Sequence, residues 1–389
     1  MKPDLYIYNI MSYADISLQK HKQYKWKLAT TSKVPLENKE DLSTYYSPWV
    51  AAPCLEIAKN PSTAYDYTWK NNSVAIISDG SAVLWLGNIW WLAGLPVMEG
   101  KAILMKQFAW LDAIPLVLDT QDPDEIINIV KNVAPTFGAI NLEDIKAPQC
   151  FYIEQKCKEL TDIPVFHDDQ HGTAIVVLAA LINALKLIEK DIADLKIVIS
   201  WAWAAGTAIA KLLWKYGATN IIVLDSRWAL TTKRDWLNTY KQELVAYNKE
   251  DLEWWLSEVI IWADMFVWVS QPDIMTAADV QAMSDKPLVF ALSNPNPEIT
   301  LETAIEAGAY IYAAWRSDVS VQINNILAFP GIMRWAIDGR LSNIEDTHKL
   351  AAAIAIASMV DVPNQEYLLP DALESNVAQI VAQAVMSVG

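Results

Sequence analysis

The densest run of reactive side chains in the chain is Phe166-His167-Asp168-Asp169-Gln170-His171-Gly172-Thr173, preceded a short way upstream by Asn141-Leu142-Glu143-Asp144. Hard divalent cations such as Mg²⁺ or Mn²⁺ gather several carboxylate oxygens around one point and leave positions open for a substrate. Two acidic pairs carried on loops can form such a point. Plainer readings exist for the same residues: Asp169 as the N-cap of the helix that follows it, and Glu143-Asp144 as a solvated acidic loop. His167 and His171, at i and i+4, also have the spacing of a zinc pair on a helix, but no third nitrogen or sulfur donor lies near them.

The elements that would position these residues are legible after Pro164. A long apolar helix is expected over 173–188, then a buried strand Lys196–Ser200, a helix Ala204–Tyr216, and a second strand Asn220–Leu224 ending in Asp225. Strand, tight turn, helix, strand and a terminal acid make the first unit of a dinucleotide-binding sheet. Further apolar strands are expected at 265–269, 287–292 and 309–312, so a doubly wound parallel sheet is the natural closure. Residues 33–158 read as mixed helices and short strands, and the Ala-rich stretch 348–385 reads as helical. The fold class is therefore α/β, with a mixed amino-terminal domain over residues 1–160 and a Rossmann-type domain over 161–389.

The totals narrow the function. A chain of 389 residues has room for two cores with a cleft between them. Its 46 acidic and 30 basic residues give a net charge of -16, which offers no electrostatic footprint for nucleic acid or an anionic membrane. The charge-free stretch 81–98 has the length of a membrane span, but Gly87, Asn88, Gly94 and Pro96 favour a loop and a helix. Three cysteines (Cys54, Cys150 and Cys157) and an amino terminus without a signal pattern point to a reducing, cytoplasmic compartment.

Six ordered motifs, FHDDQHGTAIV, NLEDIKAPQC, SDGSAVL, GLPVMEGKA, ALSNPNPEI and NNILAFPGI, span nearly the whole chain and resemble the short bacterial form of malic enzyme. The resemblance implies oxidative decarboxylation of (S)-malate to pyruvate and CO₂ with reduction of NAD(P), between a small amino-terminal domain and a Rossmann domain. It further implies Glu143, Asp144 and Asp169 as ligands of Mg²⁺ or Mn²⁺, with Asp168 beside them. Lys101 matches the general base and Tyr46 the general acid, while Asn294 and Asn325 match contacts to substrate or nicotinamide. To act as a base, Lys101 needs its pKa depressed by burial and a neighbouring cation. A malolactic-type enzyme that keeps NAD bound is the nearest alternative, and a silent NAD-fold protein a more distant one. A homodimer or larger homo-oligomer is expected.

Ala202, Ala204, Ala205, Gly206, Asp225 and Asn294 are the residues expected at the dinucleotide. A carboxylate such as Asp225 accepts bonds from the ribose hydroxyls and repels a 2′-phosphate, so NAD is favoured over NADP. Arg227 weakens that preference, because a guanidinium pairs with phosphate. The loop itself departs from expectation: a dinucleotide fold wants G-x-G-x-x-G, and this chain has Trp201-Ala202-Trp203-Ala204-Ala205-Gly206. The chain holds 12 glycines and 18 tryptophans, where glycine at about 7% would give roughly 27 residues. Tryptophan also replaces the family's glycine at Trp49, Trp85, Trp90, Trp91, Trp110, Trp228, Trp262, Trp268, Trp315 and Trp335. A single direction of change is what translation of UGA as tryptophan would produce in a gene whose cell reads UGA as glycine.

Overall fold

The computed structural model describes residues 12–388 apart from 84, 85, 269–272, 294, 295, 317 and 375. The expected roles of Asn294 and the replacement at Trp85 lie outside the described residues.

Short aliphatic runs such as Val74-Ala75-Ile76-Ile77 and Ile197-Val198-Ile199 are buried along their whole length, the pattern of strands covered on both faces by helices. Strands β1 (Ser73–Ser78), β2 (Asp112–Val117), β3 (Ala139–Leu142) and β4 (Val165–His167) form a parallel sheet in the order β2-β1-β3-β4. Strands β5 (Lys196–Ser200), β6 (Asn220–Leu224), β7 (Met265–Trp268), β8 (Leu288–Ala291) and β9 (Ile311–Ala314) form a second, in the order β6-β5-β7-β8-β9. Each order reverses direction beside its first strand. In such sheets ligands bind at the carboxyl ends of the strands flanking that reversal.

The helices are α1 (Tyr13–Tyr24), α2 (Lys39–Tyr45), α3 (Ala51–Lys59) and α4 (Ala64–Tyr67), followed by α5 (Trp91–Ala109), α6 (Pro123–Val133), α7 (Gln149–Leu160) and α8 (Asp168–Ile188). Around the second sheet lie α9 (Ala204–Tyr216), α10 (Thr239–Val245), α11 (Leu256–Val259), α12 (Ala277–Gln281) and α13 (Leu301–Glu306), and then α14 (Phe329–Asp338), α15 (Asp346–Ser358) and α16 (Val377–Met386). Alternation along the strands sorts the core. Val74 and Ile76 join α5, α8 and α14 in one cluster, whereas Ala75 and Ile77 face α6 and α7 in another. Ile197 and Ile199 extend the first cluster into the second sheet, so α8 is the shared wall between the sheets.

By length and composition alone α8 would cross a membrane, yet 72% of its most apolar window is buried inside the protein. It begins at Asp168, five residues before the expected start. The two aspartates fit its first turn because free amide groups at a helix N-terminus favour negative charge. Strand β4 pairs with β3, so the boundary expected after residue 160 falls one strand early. The expected 348–385 helix is two helices, interrupted where Pro363 and Pro370 remove the amide donors a helix needs. By contrast, α1 to α4 contain no buried residue at all.

Candidate functional site

The carboxyl ends of β1, β3 and β4 converge, and each contributes acid. Asp79 follows β1, Glu143 and Asp144 follow β3, and Asp168 and Asp169 open α8 directly after β4. One carboxylate oxygen from each of Glu143, Asp144 and Asp169 lies within 4.8 Å of the others. The geometry is fixed by the backbone: the Asp144 amide donates to Asp169 Oδ2 at 2.8 Å, and the Asn141 side-chain amide donates to Glu143 Oε2 at 2.8 Å. Asp144 itself adopts a left-handed φ of 55°, a conformation aspartate tolerates better than most residues.

Lys101 reaches this cluster from the middle of α5. Its Nζ lies 2.5 Å from Asp168 Oδ2 and 2.9 Å from Glu143 Oε1, with the Phe329 ring centroid 4.3 Å away. The Asn325 amide also donates to Asp168 Oδ2, at 2.6 Å. Lys101, Glu143, Asp168 and Asn325 are all buried. Burial alone would lower the Lys101 pKa, but the charges of Asp168 and Glu143 outweigh it and hold the ammonium above its ordinary range. The depression expected of Lys101 depends on a cation beside it, whereas the side chains alone make it the counter-charge of two carboxylates.

The carboxylates show the complementary effect. Burial pushes Asp168 up to about 7, and burial also raises Glu143 and Asp169, each with a neighbouring carboxylate adding to the rise. Lys101 alone does not neutralise Glu143, Asp168 and Asp169 together. The donors are all hard oxygens, and the deficit is of positive charge, so the group of residues fits a Mg²⁺- or Mn²⁺-class ion. A zinc pair does not form: His171 Nε2 turns to Glu154 at 2.9 Å and its pKa is pushed by burial down to about 4, while His167 Nε2 lies 3.8 Å from Asp169.

Tyr46 is not brought to this centre. It caps the C-terminus of α2 and is 71% exposed. Sequence reading also missed three neighbours of Lys101 and its acids. Asn141 and Phe329 sit inside quoted motifs without a chemical signal of their own. Gly172 is recognisable only in space, because a Cβ there would stand 1.9 Å from Asp168 Oδ1.

The second centre lies over β5 and β6. The amides of Trp201 and Ala202 both donate to the Leu224 carbonyl, at 2.9 and 2.8 Å, which turns the loop toward α9. Ala204, Ala205 and Gly206 form the first turn of α9, and a Cβ on Gly206 would meet the Trp201 carbonyl oxygen at 2.2 Å. Trp203 is the N-cap, half exposed, with its ring 5.9 Å from that of Trp201. Asp225 ends β6 as expected, but its carboxylate is already engaged. Arg234 binds it at 2.9 and 3.0 Å, Lys241 at 2.5 Å and the Arg227 amide at 2.9 Å. Burial would raise its pKa, and these bonds instead hold it at about 2. Arg234 and Lys241 follow Asp225 at no motif spacing, so only the fold reveals them.

Comparison with known proteins agrees with this layout. The family profile described as malic enzyme, N-terminal domain, matches residues 25–158, and that described as malic enzyme, NAD binding domain, matches residues 170–389. A bifunctional malic/malolactic enzyme of Bacillus subtilis is 48% identical over 96% of this chain and 92% of its own length. An NAD-dependent malic enzyme of Geobacillus stearothermophilus is 50% identical over 92% of this chain and 76% of its own. The crystal structure of an NAD-dependent malic enzyme from Thermotoga maritima superposes with a TM-score of 0.92 at 45% identity, covering 95% of this chain and 98% of that one.

Proposed function

Because the chain belongs to the malic enzyme family, we propose as its function the oxidative decarboxylation of (S)-malate to pyruvate and CO₂ with NAD as hydride acceptor, on a divalent ion held by Glu143, Asp144 and Asp169. The observation that carries the residue assignment is the convergence of three carboxylates and one buried lysine at the strand ends of the first sheet. A cation bound there supplies the Lewis acidity that acidifies the C2 hydroxyl and steadies the enolate oxygen developing as CO₂ departs.

With a cation at Glu143, Asp144 and Asp169 taking over their charge, Lys101 would release its proton and its neutral Nζ would take the C2 hydroxyl proton, while a bound nicotinamide would supply the hydride acceptor. Asp168 positions that amine and the Asn325 amide at once, so both face the same substrate volume. Asn294 is assigned to substrate and nicotinamide on its motif. Ala202, Ala204, Ala205 and Gly206 would hold the pyrophosphate of the cofactor, and Asp225 with its basic partners would meet the ribose. Tyr46 returns a proton to C3 of enolpyruvate.

A homodimer fits the amino-terminal segment best. Residues 13–67 form four helices that bury nothing, while Leu18, Trp26, Leu36, Tyr46 and Leu55 are each more than 60% exposed. Such an arm has no core of its own, and a second copy of the chain is the surface proposed to cover it.

The test is a spectrophotometric assay of the purified protein with malate, Mn²⁺ and NAD. NADH should accumulate with malate and Mn²⁺ together and with neither alone, and no NADH under any metal would sink the reading. The bifunctional relative keeps a second reading open, malolactic turnover on retained NAD. Lactate formed without free NADH would favour it.

A further inference from the structure

Among the described residues, five of the twelve non-glycine positions with positive φ are tryptophans: Trp90 at 67°, Trp110 at 58°, Trp201 at 85°, Trp236 at 62° and Trp262 at 59°. Left-handed backbone is strained for any residue with a Cβ, and bulky side chains are its rarest occupants. Asparagine and aspartate enter it by bonding their own backbone, which an indole cannot do.

The side chains offer no compensation. Trp236 is 98% exposed, Trp110 75%, Trp262 73% and Trp90 57%, whereas tryptophan in a folded protein is among the more buried residue types on average. Three of these positions are also structural corners: Trp110 is the C-cap of α5, Trp90 precedes its first residue, and Trp201 opens the turn after β5. At the Trp90 corner two backbones nearly touch, since a Cβ on Gly80 would stand 2.4 Å from the Trp90 carbonyl carbon.

We infer that the protein made in its own cell carries glycine at positions 90, 110, 201, 236 and 262, and at 203, and that glycine at 201 and 203 is what opens the cofactor loop. Trp236 has no counterpart among the sequence motifs, so its geometry is an independent indication of the same substitution. Trp203 enters on sterics, because its backbone is extended and ordinary. Its indole, packed beside that of Trp201, stands at the N-cap of α9 next to the free amide groups of the first turn. A glycine pair exposes those amides to an approaching pyrophosphate, with Gly206 already in the third position. Trp335 and Trp268 are buried and in ordinary backbone, so the geometry assigns them nothing.

The backbone part of the inference stands without the functional reading, and the loop part rests on it. Peptide mass spectrometry of the protein isolated from its own cell tests the first. Glycine is expected at all six positions, and tryptophan at any of positions 90, 110, 201, 236 and 262 overturns it. NAD titration of the chain as written against W201G/W203G tests the second, with circular dichroism and thermal melting run on both. The double variant should bind NAD at least about tenfold more tightly, and equal affinity would overturn the loop assignment. A variant replacing all five positive-φ tryptophans should melt higher than the chain as written, and a lower melting temperature counts against the inference. Glycine found in the native peptides together with no NAD binding by either form would support the inference and count against the cofactor reading instead.

Discussion

Lys101 and Glu143 are 2.9 Å apart and buried together, yet their replacement should separate into different defects. A general base contributes to the chemical step, so Lys101→Ala should lower kcat by ~10²–10⁴-fold. Glu143→Gln removes a proposed ligand and should weaken Mn²⁺ binding, read by titration calorimetry, by more than the ~10–100-fold that loss of a supporting contact costs. If K101A lost metal affinity to the same extent while E143Q kept it, the roles would have to be exchanged. Asp225 makes a separate prediction, about stability. Its pKa is held at about 2, below the ordinary 3.8, because the bonds from Arg234 and Lys241 outweigh burial. A group depressed in the folded state stabilises that state above its unfolded pKa and ceases to do so as pH falls through the folded one. Asp225→Asn should therefore melt well below the parent at pH 7, and the gap should close between pH ~4 and ~2. A gap that stays constant across that window would mean the ion pairs contribute nothing.

At the scale of elements, the functional result depends on α8 starting where it does. Asp168 and Asp169 reach the acid cluster because β4 ends at His167 and the helix begins in the next residue. Gly172, one turn further on, leaves room for the Asp168 side chain. Alanine there is well tolerated by helical backbone but would place a Cβ 1.9 Å from Asp168 Oδ1 and 3.1 Å from the Asn325 Cβ. Asp168 cannot swing aside freely, since its other oxygen holds Lys101 and Asn325. Gly172→Ala should cost ~1–3 kcal/mol of stability by overpacking and should lower kcat more than it raises KM. Unchanged kinetics would mean that Asp168 does not position the lysine. This element also marks where sequence reading stopped. The strands β5 and β6 and the helix between them were legible to the residue, because apolar period and tight-turn position are local properties. The acid cluster was legible because its members lie in two dense runs. The pairings of Lys101 with Asp168, of Asn325 with Asp168 and of Arg234 with Asp225 were not, since partners from different elements leave no spacing in the chain. The early start of α8 was missed because acidic residues read as a loop until a helix dipole is seen to favour them.

At the scale of the whole molecule, the two sheets share one core through α8, and residues 12–67 contribute no buried residue to it. Tyr46, the proposed acid, lies on that outer arm, 71% exposed, while Lys101, the proposed base, is 8% exposed. A proton donor to C3 has to reach the substrate beside Lys101, and the arm, joined to its own chain through contacts such as Lys27 Nζ donating to the Pro96 carbonyl and Arg340 pairing with Asp66, leaves Tyr46 exposed. In the proposed homodimer, docking of the arm on a second copy would supply both the missing cover and a route for the phenol into the other copy's site. The proposed homodimer thus makes a prediction that no single-chain enzyme makes. Tyr46→Phe and Lys101→Ala homodimers should each be nearly inactive. If the two are mixed, dissociated and allowed to reassociate, about half of the dimers become hybrids, each with one site holding both an intact lysine and an intact tyrosine from the opposite chain. About a quarter of the parental activity should return. If Tyr46 and Lys101 serve the same chain's site, every hybrid site lacks one of the two groups, and mixing should return none. Light scattering of the purified protein, run alongside, should report twice the chain mass, and a monomeric mass with full activity would remove the basis for donation between copies.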